Sequence, residues 1–310
     1  MSQSAAVADL NGDGRQDVVL SHYNNAAYQV FPGSGDGSLP AVAVTGRAGS
    51  GGMRVRLADV NYDGRLDQIV AAYSSGAFYV GLGNGDGTFQ VFNIVGGSAG
   101  NSMEFRMADM NNDGVVDIVA SYWSGPLGAV HLGNGNGTFQ VARAFGAGLG
   151  TTSIATGDVN GDGMVDIVSA PNGQRAVMLL RGNGDGNVQA PQVLFAPGDV
   201  DAIDNVDLID IDGDGRLDLT VNVSRGVGGV ALRVLRGNGD GTFLPAQDFP
   251  VPGNLSYSHS FADLNGDGRL DLVMPGYNTA QIYVRLGLPL HCNDGQRSGN
   301  ESAVDCGGSC

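Results

Sequence analysis

Nine residues near the C-terminal end, Asp263-Leu-Asn265-Gly-Asp267-Gly268-Arg269-Leu-Asp271, gather four oxygen-bearing side chains around Gly268. Written D-x-N-x-D-G-x-x-D, this is a donor set for a hard cation. Ca²⁺ takes about six to eight oxygens, and positions 1, 3 and 5 of a tight loop can each supply one. Position 6 is glycine where the chain must turn into backbone space that a Cβ resists. Position 7 offers a backbone carbonyl, and the Asp at position 9 closes the set.

The stretch occurs six times. Its side-chain donors are Asp9, Asn11, Asp13 and Asp17; Asp59, Asn61, Asp63 and Asp67; Asp109, Asn111, Asp113 and Asp117; Asp158, Asn160, Asp162 and Asp166; Asp210, Asp212, Asp214 and Asp218; and Asp263, Asn265, Asp267 and Asp271. Successive copies start 50, 50, 49, 52 and 53 residues apart, and position 6 is always glycine (Gly14, Gly64, Gly114, Gly163, Gly215, Gly268). One copy in a polar chain could be chance; six in register are a repeat. A helix-flanked EF-hand is excluded, because it needs a bidentate Glu at position 12. Here that position holds Leu20, Val70, Ala120, Ser169, Val221 or Met274.

The elements that must carry these loops are strands. A short alternating run such as Met53-Arg-Val55-Arg-Leu57 enters each loop with the period of two that marks a half-buried strand. An apolar, largely β-branched run leaves it, as in Asp117-Ile-Val-Ala. A third run (Ala77–Leu82 in the second repeat) leads to a tight turn of the Gly83-Asn-Gly-Asp-Gly87 kind, and a fourth (Thr88–Ile94) completes the unit. Gly, Asn and Asp suit such turns because they tolerate positive φ. Four short antiparallel strands in about 50 residues is the pattern of a β-propeller blade. The expected fold is therefore all-β, a propeller of six four-stranded blades over residues 1–287, with almost no helix. A seven-bladed parent is the alternative for the blade number, and a parallel β-helix is the competing repeat fold. The first strand of repeat 1 reads as truncated, and repeat 6 lacks the Gly turn and a clear fourth strand.

Composition narrows the function. The net charge is −16, but the six loops hold 19 of the 32 acidic residues. Six divalent ions would bring the formal charge to about −4. No basic stripe exists to neutralise phosphates, which argues against nucleic acid. No apolar run reaches the ~18 residues of a membrane span, and the first residues lack a charged-then-apolar leader. All 16 basic residues are Arg, consistent with a GC-rich bacterial genome. Cysteine is confined to Cys292, Cys306 and Cys310, so residues 288–310 read as the start of a Cys-rich, disulfide-forming tail on an exported chain.

On these motifs the chain resembles the FG-GAP/VCBS repeats of integrin α-subunit propellers and of bacterial surface and secreted proteins, over residues 1–287. It departs from integrins in having an oxygen-donor loop in every repeat, and the letters that name the family are largely missing. The resemblance implies about six Ca²⁺, one in the loop joining strands 1 and 2 of each blade. It also implies position-7 carbonyl ligands from Arg15, Arg65, Val115, Met164, Arg216 and Arg269. The tail is similar to Cys-rich segments of secreted multidomain bacterial proteins.

In this reading the ion is architecture, neutralising clustered carboxylates, and the ligand face is the rim opposite the loops. Tyr23, Tyr73, Tyr122, Trp123 and Tyr277 fall in the connections between strands 2 and 3 that would line that rim. They are candidate stacking platforms for sugar rings, with packing between blades as the alternative. The acidic run Asp199, Asp201, Asp204 and Asp207 reads as a solvated loop. Catalysis has little support: His22, His131, His259 and His291 show no metal-protease spacing, and no G-x-S-x-G elbow is present. The expectation is an extracellular binding or adhesion module for a protein or a glycan. A lectin-like carbohydrate-binding module is the alternative, and a propeller polysaccharide lyase is the third reading.

Overall fold

In the computed structural model every named element is a β-strand. The structure describes residues 2–22, 27–39, 44–47, 52–97, 100–146, 150–196, 198, 200, 202–225, 229–251, 259–276 and 281–287. Tyr23, Tyr277, Asp199, Asp201, His291 and the whole tail 288–310, with Cys292, Cys306 and Cys310, lie outside them.

The chain divides into two compact units, Met1–Asp158 with Asp162–Ala196, and Val159–Gly161 with Pro197–Cys310. Four sheets belong to the first unit. They are β1 (Ser2–Ala8), β2 (Asp17–His22), β3 (Ala27–Phe31) and β4 (Val44–Arg47); β5 (Gly52–Ala58), β6 (Asp67–Ala72), β7 (Ala77–Gly81) and β8 (Asn93–Gly96); β9 (Ser102–Ala108), β10 (Asp117–Tyr122), β11 (Gly128–His131) and β12 (Arg143–Phe145); and β13 (Thr151–Gly157), β14 (Asp166–Pro171), β15 (Val177–Leu180) and β16 (Gln192–Phe195). The second unit holds β17 (Ala202–Ile209), β18 (Asp218–Arg225), β19 (Gly229–Leu235) and β20 (Gln247–Pro250), then β21 (Ser260–Ala262), β22 (Asp271–Pro275) and β23 (Ile282–Arg285). Every sheet is an antiparallel meander whose strands lie in sequence order. The fold class is an all-β propeller of six blades.

Burial explains the strand compositions. In the second to fourth blades the second strand is covered on both faces, so β6, β10 and β14 are buried at every residue. A doubly covered strand needs a continuous apolar run rather than alternation. The core lies between successive blades, and Ile69 and Phe78 of the second blade pack with Phe105, Ile118 and Tyr122 of the third. Met110, Val119 and Leu127 of the third blade meet Ile154, Ile167 and Leu180 of the fourth in the same way. The fourth strands form the outer edge, where Ile94 and Val193 are exposed.

Three boundaries differ from the sequence expectation or refine it. β1 has seven residues, like β5, β9 and β13, so the first strand is not truncated. The fourth strand of the second blade begins at Asn93 rather than Thr88, because residues 88–92 first fold back on the Gly turn through a single Gly83–Phe89 bridge. The sixth sheet has three strands among the described residues, as the missing Gly turn implied.

The first glycine of each Gly turn is there for space. A Cβ on Gly83 would overlap the carbonyl oxygen of Leu66, and one on Gly133 that of Val116. Gly83→Ala should therefore cost on the order of 1–3 kcal/mol in chemical denaturation. Gly198→Ala, where a Cβ meets nothing within 4 Å, should stay within about 0.5 kcal/mol of the parent.

Candidate metal centres

Each D-x-[ND]-x-D-G-x-x-D stretch forms a closed loop between the first and second strands of its blade. The position-1 Asp organises it by accepting from the position-6 N–H, as in Gly14 to Asp9 at 2.8 Å, Gly64 to Asp59 at 2.9 Å and Gly268 to Asp263 at 2.9 Å. The position-5 N–H reaches the same carboxylate, at 3.2 Å from Asp113 to Asp109 and from Asp162 to Asp158. The position-7 N–H of Arg15, Arg65, Val115, Met164, Arg216 and Arg269 donates to the position-5 Asp at 2.7–2.9 Å. These bonds demand a left-handed turn at position 6, where φ runs from +80° to +84° and only glycine is relaxed.

The position-9 Asp plays a different part. Asp17, Asp67, Asp117, Asp166, Asp218 and Asp271 are 0–1% exposed. One oxygen accepts from the position-2 N–H of its own loop, as in Val60 to Asp67 at 2.9 Å and Met110 to Asp117 at 2.8 Å. The other accepts from the first glycine of the Gly turn, at 2.7–2.8 Å from Gly33, Gly83, Gly133, Gly182 and Gly237. In the sixth blade Gly287 makes the same bond to Asp271 at 2.7 Å. Each buried carboxylate thus locks a loop to a turn 16–19 residues further on.

The fifth loop shows the charge problem most clearly. Carboxylate oxygens of Asp210, Asp212 and Asp218 lie within 4.8 Å of one another. That spread matches a cation with oxygens at about 2.3–2.6 Å, so the donor set fits Ca²⁺ in size and hardness. Burial, with Asp212 and Asp214 adding to it, pushes the Asp218 carboxyl up to about 7 despite the N–H bonds from Gly237 and Ile211. Asp67 and Asp117 lie above the ordinary carboxylate value for the same reason. Elsewhere the position-3 Asn relieves crowding by donating to the position-5 Asp, at 3.1 Å from Asn61 to Asp63 and 2.8 Å from Asn111 to Asp113. Asp212 cannot donate; the guanidinium of Arg236 lies 2.9 Å from it instead.

One required position escaped the sequence reading. Position 4 has positive φ in all six copies, at Gly12, Tyr62, Asn112, Gly161, Gly213 and Gly266. Four glycines there were the available signal. The two side chains that replace glycine reach forward: Tyr62 Oη donates to the carbonyl of Gly114, and Asn112 Nδ2 to that of Gly163 at 3.2 Å. Successive loops of the first unit are also joined when the last glycine of a turn donates to the preceding blade's loop. The bonds run from Gly137 to Val60 at 3.1 Å and from Gly186 to Met110 at 3.0 Å. The Asp of the Gly turn is used locally, because Asp86 accepts both the N–H and the hydroxyl of Thr88.

A family model for the FG-GAP-like repeat matches residues 9–70, 63–120, 122–169, 158–221 and 223–274, which together are most of the chain. The chain belongs to the FG-GAP-like repeat family. Among solved structures it is similar to a lectin of Agrocybe aegerita that specifically recognises non-reducing terminal N-acetylglucosamine. That likeness has 24% identity and a TM-score of 0.65, and covers 87% of this chain and 73% of the lectin. A luciferin-regenerating enzyme is similar at 11% identity and a TM-score of 0.54, covering 93% of this chain and 92% of the enzyme. At these identities the likeness is one of fold. No curated protein sequence matches the chain.

At the other end of these FG-GAP blades, the links between blades pack on the connections between strands 2 and 3. The N–H of Ser102 reaches the carbonyl of Tyr73 at 3.2 Å, and that of Trp123 the carbonyl of Asn101 at 2.8 Å. The candidate aromatics separate here. Trp123 is 42% exposed and Tyr73 is half-buried. Tyr122 is a correction: it is fully buried in the core between the second and third blades, where burial pushes its hydroxyl up to about 12. It is the last residue of β10, a strand covered on both faces, so it cannot stack on a ligand. His22, His131 and His259 fall in three separate blades. His22 lies against Gln29 at 2.8 Å, His131 against the Phe78 ring, and His259 against Thr220 at 2.9 Å.

The raised Asp218 pKa sets a pH dependence for the metal-free chain. The folded state holds this proton between about pH 4 and pH 7 while the unfolded state releases it, so stability falls as pH rises through that window. Thermal melts in chelator should give a lower midpoint at pH 7.5 than at pH 5, with the difference shrinking in Asp218→Asn. A midpoint that climbs with pH and ignores the substitution would contradict this account.

Proposed function

We propose that this FG-GAP propeller is a calcium-stabilised, non-catalytic binding module that acts outside the cell. Its ligand face is the edge opposite the six loops, and its partner is an extracellular glycan or protein. The convergence of Asp210, Asp212 and Asp218 carries the metal part of this reading. Aspartates this close, one of them buried, repel one another, and the Arg236 guanidinium beside Asp212 offsets only one of the three charges, which leaves a divalent cation favoured there. Each loop would hold about one Ca²⁺ through its four side-chain donors and the position-7 carbonyl. The ion supplies neutralisation and a fixed loop shape. An ion that binds only the folded chain stabilises it by mass action, so chelation should lower the melting midpoint by several degrees and Ca²⁺ should restore it. An identical melt in chelator and in millimolar Ca²⁺ would remove the assignment.

A carbohydrate ligand is the reading favoured by Trp123. A tryptophan 42% exposed at the loop-distal end of the third blade leaves part of its side chain to solvent, and indole faces suit the apolar faces of sugars. The same fold serves sugar recognition in the Agrocybe aegerita lectin, which supports the choice. On a glycan array in Ca²⁺ the chain should give a reproducible hit, and Trp123→Ala should weaken it about tenfold or more with the melt unchanged. A blank from folded, calcium-loaded protein would shift the reading to a protein partner.

A further inference from the structure

The first strands of the second and third blades carry a charge cluster that the loops do not explain. Arg54 and Arg56 lie on β5, and Glu104 and Arg106 on β9. Glu104 binds all three cations. Arg54 Nε is 3.0 Å from one of its oxygens, and Arg56 Nη2 and Arg106 Nη1 are 2.9 and 3.2 Å from the other. Burial alone would raise the Glu104 carboxyl, but the three arginines together hold it below the ordinary value. Arg56 is fixed further, since its Nε donates to the carbonyl of Phe105 at 2.7 Å and its guanidinium lies over that ring at 5.5 Å.

Three cations share one anion here, in a chain of net charge −16. The surplus remains within reach of solvent, with the side chains of Arg54 and Arg56 39% and 36% exposed. Among the described residues no partner is found for the two terminal nitrogens of Arg54 or for the second one of Arg56. The fold does not ask for these arginines. The same two strand positions hold Ser4 and Ala6 in the first blade, and Ser153 and Ala155 in the fourth. A register shift at the start of each of these strands, between Gly52 and Arg54 on β5, sets the position just before it. Such bulges re-aim the side chains that follow.

We propose that Arg54 and Arg56, steadied by Glu104, form a receptor for the carboxylate of an acidic saccharide. This rests on the glycan reading and narrows it to a uronate-bearing ligand. Arg54 lies toward the loop-distal start of β5, and the Glu104 that it binds donates its N–H to Ser121 Oγ at 3.0 Å, two residues before Trp123. The chemistry favours a carboxylate because a guanidinium presents paired N–H donors in a plane that matches two carboxylate oxygens. Glu104 holds the forks in place and leaves their outer donors for the ligand.

The test is calorimetric titration of the calcium-loaded protein, at low ionic strength, with a glucuronate-containing disaccharide and with its methyl ester. The acid should bind about tenfold tighter than the ester, and tighter at low salt than at high. Arg54→Gln should erase that preference, bringing the acid's affinity down to about that of the ester. Arg54→Lys, which keeps the charge without the fork, should recover part of it, and thermal melts of both variants check folding. Equal affinity for acid and ester, unchanged in Arg54→Gln, would overturn the carboxylate site and leave the saccharide reading standing. Failure of both sugars to bind, with a blank glycan array, would overturn the two together.

Discussion

The structure depends on a buried aspartate that accepts two backbone hydrogen bonds from places distant in sequence. Asp67 shows it: one oxygen takes the N–H of Val60 in the loop, the other that of Gly83 in the Gly turn. A carboxylate is the only side chain of that length with two acceptors and no donor. It ends the loop, begins the second strand and fixes where the third strand must stop. The glycine it holds comes so close to the chain beneath it that no Cβ fits. Loop, strand and turn are therefore one unit, and the spacing of about 50 residues repeats because this unit does.

Coupling between blades in the first unit follows from the same turns. The last glycine of a Gly turn donates back to the loop of the preceding blade, and side chains at position 4 reach forward to the next loop. Together with the apolar cores between blades, these contacts make each blade's neighbours part of its own stability. Repeat proteins of this kind behave as nearest-neighbour systems.

Much of this was legible in the sequence. The Asp and Gly spacing gave the loops, the β-branched runs gave the doubly covered strands, and the Gly turns gave the four-stranded unit. What escaped needed three-dimensional context. Position 4 looked variable, since Tyr62 and Asn112 share no chemistry with glycine, yet all six copies have the same backbone sign. Tyr122 and Trp123 are adjacent aromatics that a pattern of residue types treats alike. Only strand alternation at the end of β10 separates the buried one from the exposed one. The Arg54, Arg56 and Glu104 grouping joins strands about 50 residues apart, and neither repeat shows it alone.

The fifth loop differs from its siblings by carrying its own counter-ion. Where the second and third blades place Leu82 and Leu132 before the Gly turn, the fifth places Arg236, 2.9 Å from its extra acid Asp212. The fourth blade holds an arginine at the same place, Arg181, without the acid, since its position 3 is Asn160; the added carboxylate is thus the step that the guanidinium makes tolerable. Duplicated repeats drift apart by such steps, in which one residue makes the next acceptable. A blade that acquires one can hold its loop in surroundings of different salt composition while its neighbours keep the older chemistry. Within one chain, then, the copies are free to become unequal in how strongly they answer to their environment.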